Sequence, residues 1–258
     1  MRDAVAMWRN TRLVVLAAVS ASLYAALLIP FKVLPLIPGV TELRPANAVP
    51  VVCSFLFGPA GAWGAAIGNL IGDFFGGIGP GDFFGFAANF LYGFLPYRAW
   101  RMLSTEDPLP RSLPQWVAFV AVVALAAAAC AVVVGWGLNG LGFVPFAVLA
   151  NIVFFNNFLM AVVLSPLLLL AIYPRVKRAG LRYDDVAKTP PRRGLSCWVG
   201  LAAVVLGTVG GFVVGNLIST GRIEIAALAT NPPGTRAGQV GAGVAPFIAL
   251  IIVGLLLL

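Results

Sequence analysis

The sequence predicts an all-α integral membrane protein on three observations. Of its 258 residues, 60% are hydrophobic and only 10% are charged. Soluble domains carry roughly 45–50% apolar and about 25% charged residues, so charge is strongly depleted here. The mean hydropathy is +0.97. Apolar runs of the length that a bilayer-spanning helix needs, about 20 residues, follow one another along most of the chain. The length therefore leaves no room for a sizeable soluble domain.

Eight apolar runs are candidates for spanning helices. They cover residues 13–31, 46–57, 60–75, 83–100, 116–138, 143–172, 198–217 and 244–258. The second and third runs are separated only by Gly58 and Pro59, so they form either a hairpin of two helices or one long tilted helix. With a hairpin and a cytoplasmic N-terminus, 13 of the 17 Lys and Arg residues lie in cytoplasmic segments, whereas a single helix leaves 5 there. Cytoplasmic loops are enriched in these residues, so the hairpin is predicted.

A polar segment at residues 173–194 is the longest in the chain and contains two consecutive prolines. On this basis we predict that the chain has three parts: a six-helix membrane domain at residues 1–175, a cytoplasmic linker at 176–195, and a C-terminal pair of transmembrane helices at 196–258. The formal net charge of +8 is explained by basic residues in the cytoplasmic loops. Nucleic acid is therefore not predicted as a partner.

Composition also excludes several classes of chemistry. The chain has no histidine, which removes histidine-ligated zinc and haem and any nucleophile activated by imidazole. Cys53, Cys130 and Cys197 are odd in number and far apart, so they predict neither a disulfide framework nor a metal site. No Gly-Lys pair is present, so a phosphate-binding P-loop is absent from this sequence. We predict no cofactor, and ATP hydrolysis would require another subunit.

Acidic and amide residues flank a glycine-rich turn after the third run. Asn69 and Asp73 share one helical face before the turn, and Asp82 and Asn89 share one after it. The sequence Gly-Asp-Phe-Phe-Gly occurs on both sides, and the glycines between the two copies permit both acids to face a common cavity, with four phenylalanines around them. The acids are equally consistent with helix ends at the water interface, where Asp82 would be an N-cap.

The sixth run contains Asn151, Asn156 and Asn157, which do not fall on one helical face. Either at least one of them contacts a ligand, or they form hydrogen bonds to neighbouring helices.

The first run contains two rows of small residues spaced by four. These rows are Ala17, Ala21 and Ala25, and Ala18, Ser22 and Ala26. Such a row lets another helix approach closely, and that helix belongs either to this chain or to a partner.

Three motifs resemble the substrate-binding S components of energy-coupling-factor (ECF) transporters. They are Glu-Leu-Arg-Pro-Ala-Asn-Ala-Val-Pro at 42–50, Leu-Phe-Gly-Pro-Ala-Gly-Ala at 56–62, and Gly-Asn-Leu-Ile-Gly-Asp at 68–73. The alanine row of the first run is similar to an Ala-x-x-x-Ala pattern of that family. The resemblance covers residues 10–175, which matches the six-helix size of such a subunit, and the last two helices exceed it.

The resemblance implies a subunit, not an enzyme, in the plasma membrane of a prokaryote. It would capture a vitamin or related small organic molecule and deliver it through a transmembrane coupling subunit and two ATPases. Without histidine, nickel or cobalt is disfavoured as the substrate. The family pattern places Ala17, Ala21 and Ala25 against the coupling subunit. We expect these residues to contact the substrate: Glu42, Arg44, Asp73, Asp82, Asn89, Tyr92, Asn151, Asn156 and Asn157.

Two other functions fit parts of the sequence. A stand-alone secondary transporter would need ionisable residues deep in the bundle, where this sequence offers asparagines. The segment Gly-Pro-Gly-Asp at 79–82 fits the Gly-x-Gly-Asp pattern of intramembrane aspartyl proteases, with Asp73 as a second carboxylate. In those proteases, however, the two acids lie on separate helices that are far apart in sequence.

Overall fold

The computed structural model describes residues 1–33, 35–37, 41–188, 194–225 and 236–258, and within 32–42 the description is limited to the backbone. The described residues are almost entirely helical, which confirms the all-α prediction. The helices are α1 (Arg2–Ala6), α2 (Thr11–Leu28), α3 (Ala48–Phe57), α4 (Pro59–Phe74), α5 (Asp82–Leu103), α6 (Leu113–Gly140), α7 (Phe146–Arg178), α8 (Tyr183–Ala187), α9 (Leu195–Ser219) and α10 (Ala237–Leu257). Strands β1 (Pro35–Ile37) and β2 (Thr41–Glu42) form a small antiparallel pair between α2 and α3.

Five of the helical segments in the described part are long and apolar enough to cross a membrane. They are Thr11–Phe31, Leu113–Gly140, Phe146–Ala187, Leu195–Ser219 and Ala237–Leu257. Helix α3 and the 3₁₀ turn before it, Pro45–Phe57, form a shorter apolar helix. The chain is therefore a multi-pass membrane protein, although α4 and α5 do not reach the same length or composition.

The chain reverses direction at Gly58, between α3 and α4. Gly58 has a φ of +54°, a conformation that glycine adopts at little cost, and it interrupts the helix there. Contacts pair α2 and α4 in the same order along both helices: Ala17 with Gly64, Tyr24 with Gly68, and Leu28 with Gly72. Helices α2 and α4 are therefore parallel, which requires α3 to run back between them. The predicted hairpin is confirmed, and the single tilted helix is wrong.

The other long helices alternate in direction, so the bundle has two ends. Gly93 of α5 lies against Ala62 of α4, while Gly85 lies near Asn69, and this order makes α5 antiparallel to α4. Contacts of the same kind show that α6, α7, α9 and α10 each run antiparallel to a neighbouring helix. We call the end formed by residues 1–12, 98–112 and 173–188 the basic end, because it holds most Lys and Arg residues of the described chain. The opposite end, at residues 69–82 and 138–146, is the cavity end.

The first alanine row of α2 is buried within the chain. Ala17, Ala21 and Ala25 are only 2–4% exposed, and the row packs against the glycines of α4, whose missing side chains allow the two backbones to approach closely. The prediction that these three alanines face a coupling subunit is therefore wrong for the folded chain. The second row, Ala18, Ser22 and Ala26, is exposed.

Ion pairs join the loops at the basic end. Arg101 lies 3.0 Å from the carboxylate of Asp184 in α8. Asp107 accepts hydrogen bonds from Lys177 at 2.6 Å and from Tyr173 at 2.8 Å. Burial acts to raise the pKa of Asp107, but these hydrogen bonds outweigh that effect and hold the pKa below its ordinary value. Helix α8 lies inside the predicted linker, so this part of the linker is folded onto the bundle.

The C-terminal helices α9 and α10 pack against each other and against α6. Near the cavity end, Asn151 of α7 donates to Asn216 of α9 at 2.6 Å, and Trp136 of α6 donates to the carbonyl of Gly241 in α10 at 3.0 Å. At the basic end, the buried Arg98 donates to the carbonyl of Leu258. The pair is thus joined to the other helices at both ends, and residues 189–193 of the predicted linker lie outside the described part.

We expect Gly64→Ala to destabilise the protein, because the added Cβ would lie 2.3 Å from the Cβ of Ser20 and force α2 and α4 apart. Such overpacking costs about 1–3 kcal/mol. Gly241→Ala is the matched control, since its added Cβ meets no atom within 4 Å. It should leave stability unchanged or raise it by up to about 1 kcal/mol. Thermal unfolding of both variants in detergent measures the difference, and equal midpoints would contradict the close α2–α4 contact.

Candidate functional site

A polar cavity of about 150 Å³ lies at the cavity end of the bundle. Helices α4, α5, α6 and α7 and the 3₁₀ turn Pro45–Asn47 surround it. Its polar and charged lining consists of Arg44, Asn47, Asn69, Asp73, Asp82, Asn89, Cys130, Asn156 and Asn157. Glycines of the turn before α5 and apolar side chains of α6 and α7 complete the wall. The concentration of hydrogen-bonding groups in an apolar bundle makes it the candidate functional site.

The short helix α3 sets the depth at which the turn before it meets the cavity. The 3-residue turn at Pro45 and the 10-residue helix α3 are together roughly 20 Å long, less than the about 30 Å of a bilayer core. The chain before α3 therefore enters the bundle below the ends of its neighbours. The guanidinium of Arg44 accordingly reaches Asn69, more than one turn below the end of α4 at Phe74.

Hydrogen bonds link the charged groups of the cavity through an amide. Arg44 Nη1 donates to Asn69 Oδ1 at 3.0 Å, and Asn69 Nδ2 donates to Asp73 Oδ2 at 2.6 Å. The backbone N–H of Arg44 also donates to Asn156 Oδ1 at 3.3 Å. Because a buried charge is costly unless opposite charge and hydrogen bonds compensate it, this linkage stabilises both the guanidinium and the carboxylate.

A second network joins two buried tyrosines to the asparagines. The hydroxyl of Tyr24 donates to Asn47 Oδ1 at 2.8 Å and lies 3.2 Å from Asn89 Oδ1. The hydroxyl of Tyr92 lies 3.0 Å from the carbonyl oxygens of both Asn47 and Asn157. Asn47 Nδ2 in turn donates to Asn157 Oδ1. The network connects α2, α5 and α7 with the turn before α3.

The two acids flanking the glycine-rich turn line the same cavity, as their spacing predicted. Asp82 is also the first residue of α5, so it does lie at a helix end, but the predicted N-cap role is wrong because Gly81 is the N-cap. The carboxylate of Asp82 instead accepts from the backbone N–H of Gly79, before the helix, at 2.8 Å. A bound molecule at this end would therefore meet two carboxylates, of which Asp73 is buried and Asp82 is partly exposed.

The four phenylalanines do not surround these acids as predicted. Phe74, Phe75 and Phe83 are 64%, 66% and 73% exposed, and Phe84 packs against Gly137 of α6. Because the acids occupy the inward face of α4 and α5, their sequence neighbours are rotated by about 100° towards the outside. Among the described residues, the aromatic side chain that lines the cavity is instead Phe143, in the turn between α6 and α7.

The structure brings most of the predicted site residues together. Six line the cavity: Arg44, Asp73, Asp82, Asn89, Asn156 and Asn157. Tyr92 reaches the cavity residues through its hydroxyl. Asn151 is not brought to the cavity, because it bonds to Asn216 and to the carbonyl of Ala147. The side chain of Glu42 lies outside the described part of the structure.

Three further residues of the cavity were not assigned from the sequence. Asn69 and Asn47 lie within the motifs that carry the family resemblance, so the sequence contained information that could have identified them as site residues. Nothing in the sequence indicated Cys130, because it is a small residue in the middle of the apolar helix α6. Its Sγ accepts from Asn157 Nδ2 at 3.3 Å.

The arrangement suits a small hydrogen-bonding molecule. Amide groups supply both donors and acceptors, and the carboxylates supply acceptors, so the cavity is able to pair with the edge of a polar heterocycle. Among the described residues, no group of three or more Cys, Asp or Glu side chains is placed to hold a metal ion.

A multi-pass helical bundle with a polar cavity at one end defines a membrane protein that binds a small solute. The family model for the QueT transporter matches residues 14–174, which is more than half of the chain, and the chain therefore belongs to the QueT transporter family. QueT transporters are S components of ECF transporters, so the resemblance found in the sequence motifs is confirmed. The family indicates a transporter rather than an enzyme. We found no match to the chain among curated proteins or among solved structures.

Proposed function

We propose that this chain is the substrate-capture subunit of an ATP-driven uptake transporter in a prokaryotic plasma membrane, and that its substrate is a queuosine precursor. The observation that carries the proposal is the polar cavity, whose lining residues all fall inside the family match at 14–174. The substrate class comes from the family, whose S components serve a queuosine precursor. A queuosine precursor is a more specific substrate than the vitamin or related small molecule that the sequence motifs predicted.

The chemistry of the cavity supports such a substrate. Queuosine contains a 7-deazaguanine base, which has a ring carbonyl as acceptor and amino and ring N–H groups as donors. The carboxylates of Asp73 and Asp82 are acceptors for N–H groups, and the amides of Asn47, Asn89 and Asn157 offer donors. Both edges of a guanine-like base therefore have complementary groups in one cavity.

The proposed topology has eight membrane helices, with the cavity end outside the cell and the basic end in the cytoplasm. The distribution of Lys and Arg supports this orientation, because positive residues are retained on the cytoplasmic side. A six-helix domain at residues 1–175 then binds the substrate, and residues 176–195 form the cytoplasmic linker. The C-terminal pair at 196–258 lies beyond the family match.

A coupling subunit and two ATPases complete the proposed transporter. The chain has no P-loop, so the energy of ATP would reach it from other subunits. Since the alanines at 17, 21 and 25 are buried, we propose that the coupling subunit docks on the exposed row Ala18, Ser22 and Ala26. Small residues spaced by four allow close helix approach on this face of α2.

We expect Asn69→Ala to weaken binding of a queuosine precursor about 10-fold or more, because the amide links Arg44 to Asp73 and its loss leaves buried charge poorly compensated. Asn151→Ala is the matched control. It removes an amide of equal size that bonds to α9 instead. Calorimetric titration of purified protein with the precursor measures both. Equal losses in the two variants would contradict the assignment of the cavity.

We expect Ser22→Trp to abolish uptake while sparing substrate binding, because the indole would hold a partner helix away from the small-residue row. Val163→Trp on the exposed face of α7 is the control and should transport normally. The measurement is ATP-dependent uptake into proteoliposomes that contain all the subunits. Normal uptake by Ser22→Trp would reject the docking face. Uptake by the chain alone, without ATPases, would instead indicate a secondary transporter.

A further inference from the structure

The buried Tyr24 of α2 contacts two residues of the cavity wall without lining the cavity itself. Its side chain is 1% exposed, and its hydroxyl lies between the amide oxygens of Asn47, at 2.8 Å, and Asn89, at 3.2 Å. We propose that Tyr24 is a positioning residue for the substrate, which orients these two amides so that their N–H groups face the bound molecule. This inference rests on the proposed function and specifies how its site selects a substrate.

The orientation of the Asn47 amide is defined at both of its ends. Its Oδ1 accepts from Tyr24, and its Nδ2 donates to Asn157 Oδ1. A primary amide carries two N–H donors, so one N–H of Asn47 has no acceptor among the described residues. Because Asn47 lines the cavity, that N–H is available to the substrate.

Two more asparagines of the cavity wall, Asn89 and Asn157, also donate only one of their two amide N–H groups to described residues. Asn89 Nδ2 donates to the carbonyl of Gly85 at 2.9 Å, and Asn157 Nδ2 donates to Cys130 Sγ at 3.3 Å. In the part of the chain that the structure describes, neither amide has an acceptor for its second N–H. The cavity wall therefore contains several amide N–H donors, which can recognise an acceptor such as a ring carbonyl. The carboxylates of Asp73 and Asp82 are acceptors for the N–H groups of the substrate.

The hydroxyl of Tyr24 is a shared hydrogen-bond partner of two amide oxygens. Without it, Asn47 Oδ1 and Asn89 Oδ1 both lose this partner, and a buried acceptor without a donor is costly. Among the described residues, each amide then keeps only its Nδ2 contact, which is to Asn157 for Asn47 and to Gly85 for Asn89. Its second N–H is therefore less firmly directed at the cavity, and an acceptor on the substrate loses part of its positioned donors. Loss of the hydroxyl therefore changes selectivity as well as affinity.

The test compares two probes on purified Tyr24→Phe and wild-type protein. One probe is a 7-deazaguanine precursor of queuosine, and the other is its 6-deoxo analogue, which lacks the ring carbonyl. Wild type should prefer the precursor by about 10-fold or more, as expected when buried donors are left unpaired by the analogue. Tyr24→Phe should bind the precursor about 10-fold more weakly and the analogue within about 2-fold of wild type, so the preference disappears.

Tyr97→Phe is the matched control, because it removes another buried tyrosine hydroxyl, one that contacts Arg101 near the basic end. It should keep the wild-type preference. If Tyr24→Phe fails to fold, Asn89→Ala provides the second variant and should also lose the preference, since it removes one of the positioned donors.

The outcomes separate the inference from the proposed function. An equal loss of affinity for both probes in Tyr24→Phe would show a merely structural role and overturn the inference, and so would an unchanged preference. In either case, binding of the precursor by wild type would still support the proposed function. Failure of wild type to bind either probe would overturn both.

Discussion

Compensation of buried polar groups at membrane depth is the constraint on which the rest of this structure depends. A guanidinium, a carboxylate and several amides lie inside an apolar bundle, where each would be costly without hydrogen-bond partners. The linkage from Arg44 through Asn69 to Asp73 compensates the charged groups. Tyr24 contacts amide oxygens of Asn47 and Asn89, and Tyr92 contacts backbone carbonyls of Asn47 and Asn157. These networks constrain the relative positions of α2, α4, α5 and α7, since each helix supplies at least one member.

Close helix packing makes those networks geometrically possible. The glycines of α4 let α2 approach until Tyr24 lies against Gly68, and from there its hydroxyl reaches the cavity wall. A side chain at Gly68 would meet the backbone of Ala21 at 2.8 Å. The buried small-residue row of α2 therefore serves the site indirectly: it brings the tyrosine within hydrogen-bond distance of Asn47 and Asn89.

Much of the fold was predictable because it depends on patterns that are visible along the sequence itself. Hydropathy located the long helices, and the asymmetry of Lys and Arg distinguished a hairpin at Gly58 from a single helix. The acids at 73 and 82 were predictable as cavity residues because glycines between them permit a turn. Helix spacing could not show which side of α2 faces this chain, because both rows have the same period. Nor could it show that Asn151 bonds to α9, since its partner Asn216 is 65 residues away.

The position of the C-terminal pair explains why Asn151 and Asn156 have different roles on one helix. Residues five apart on a helix differ by about 140° in direction, so they face different neighbours. Asn156 faces the cavity and accepts from the backbone of Arg44, whereas Asn151 faces α9. Helix α9 also places Gly211 against Val132 of α6, two residues from Cys130. The pair therefore packs behind two helices that form the cavity wall, and its amide contact joins α7 to α9 on a face that does not line the cavity.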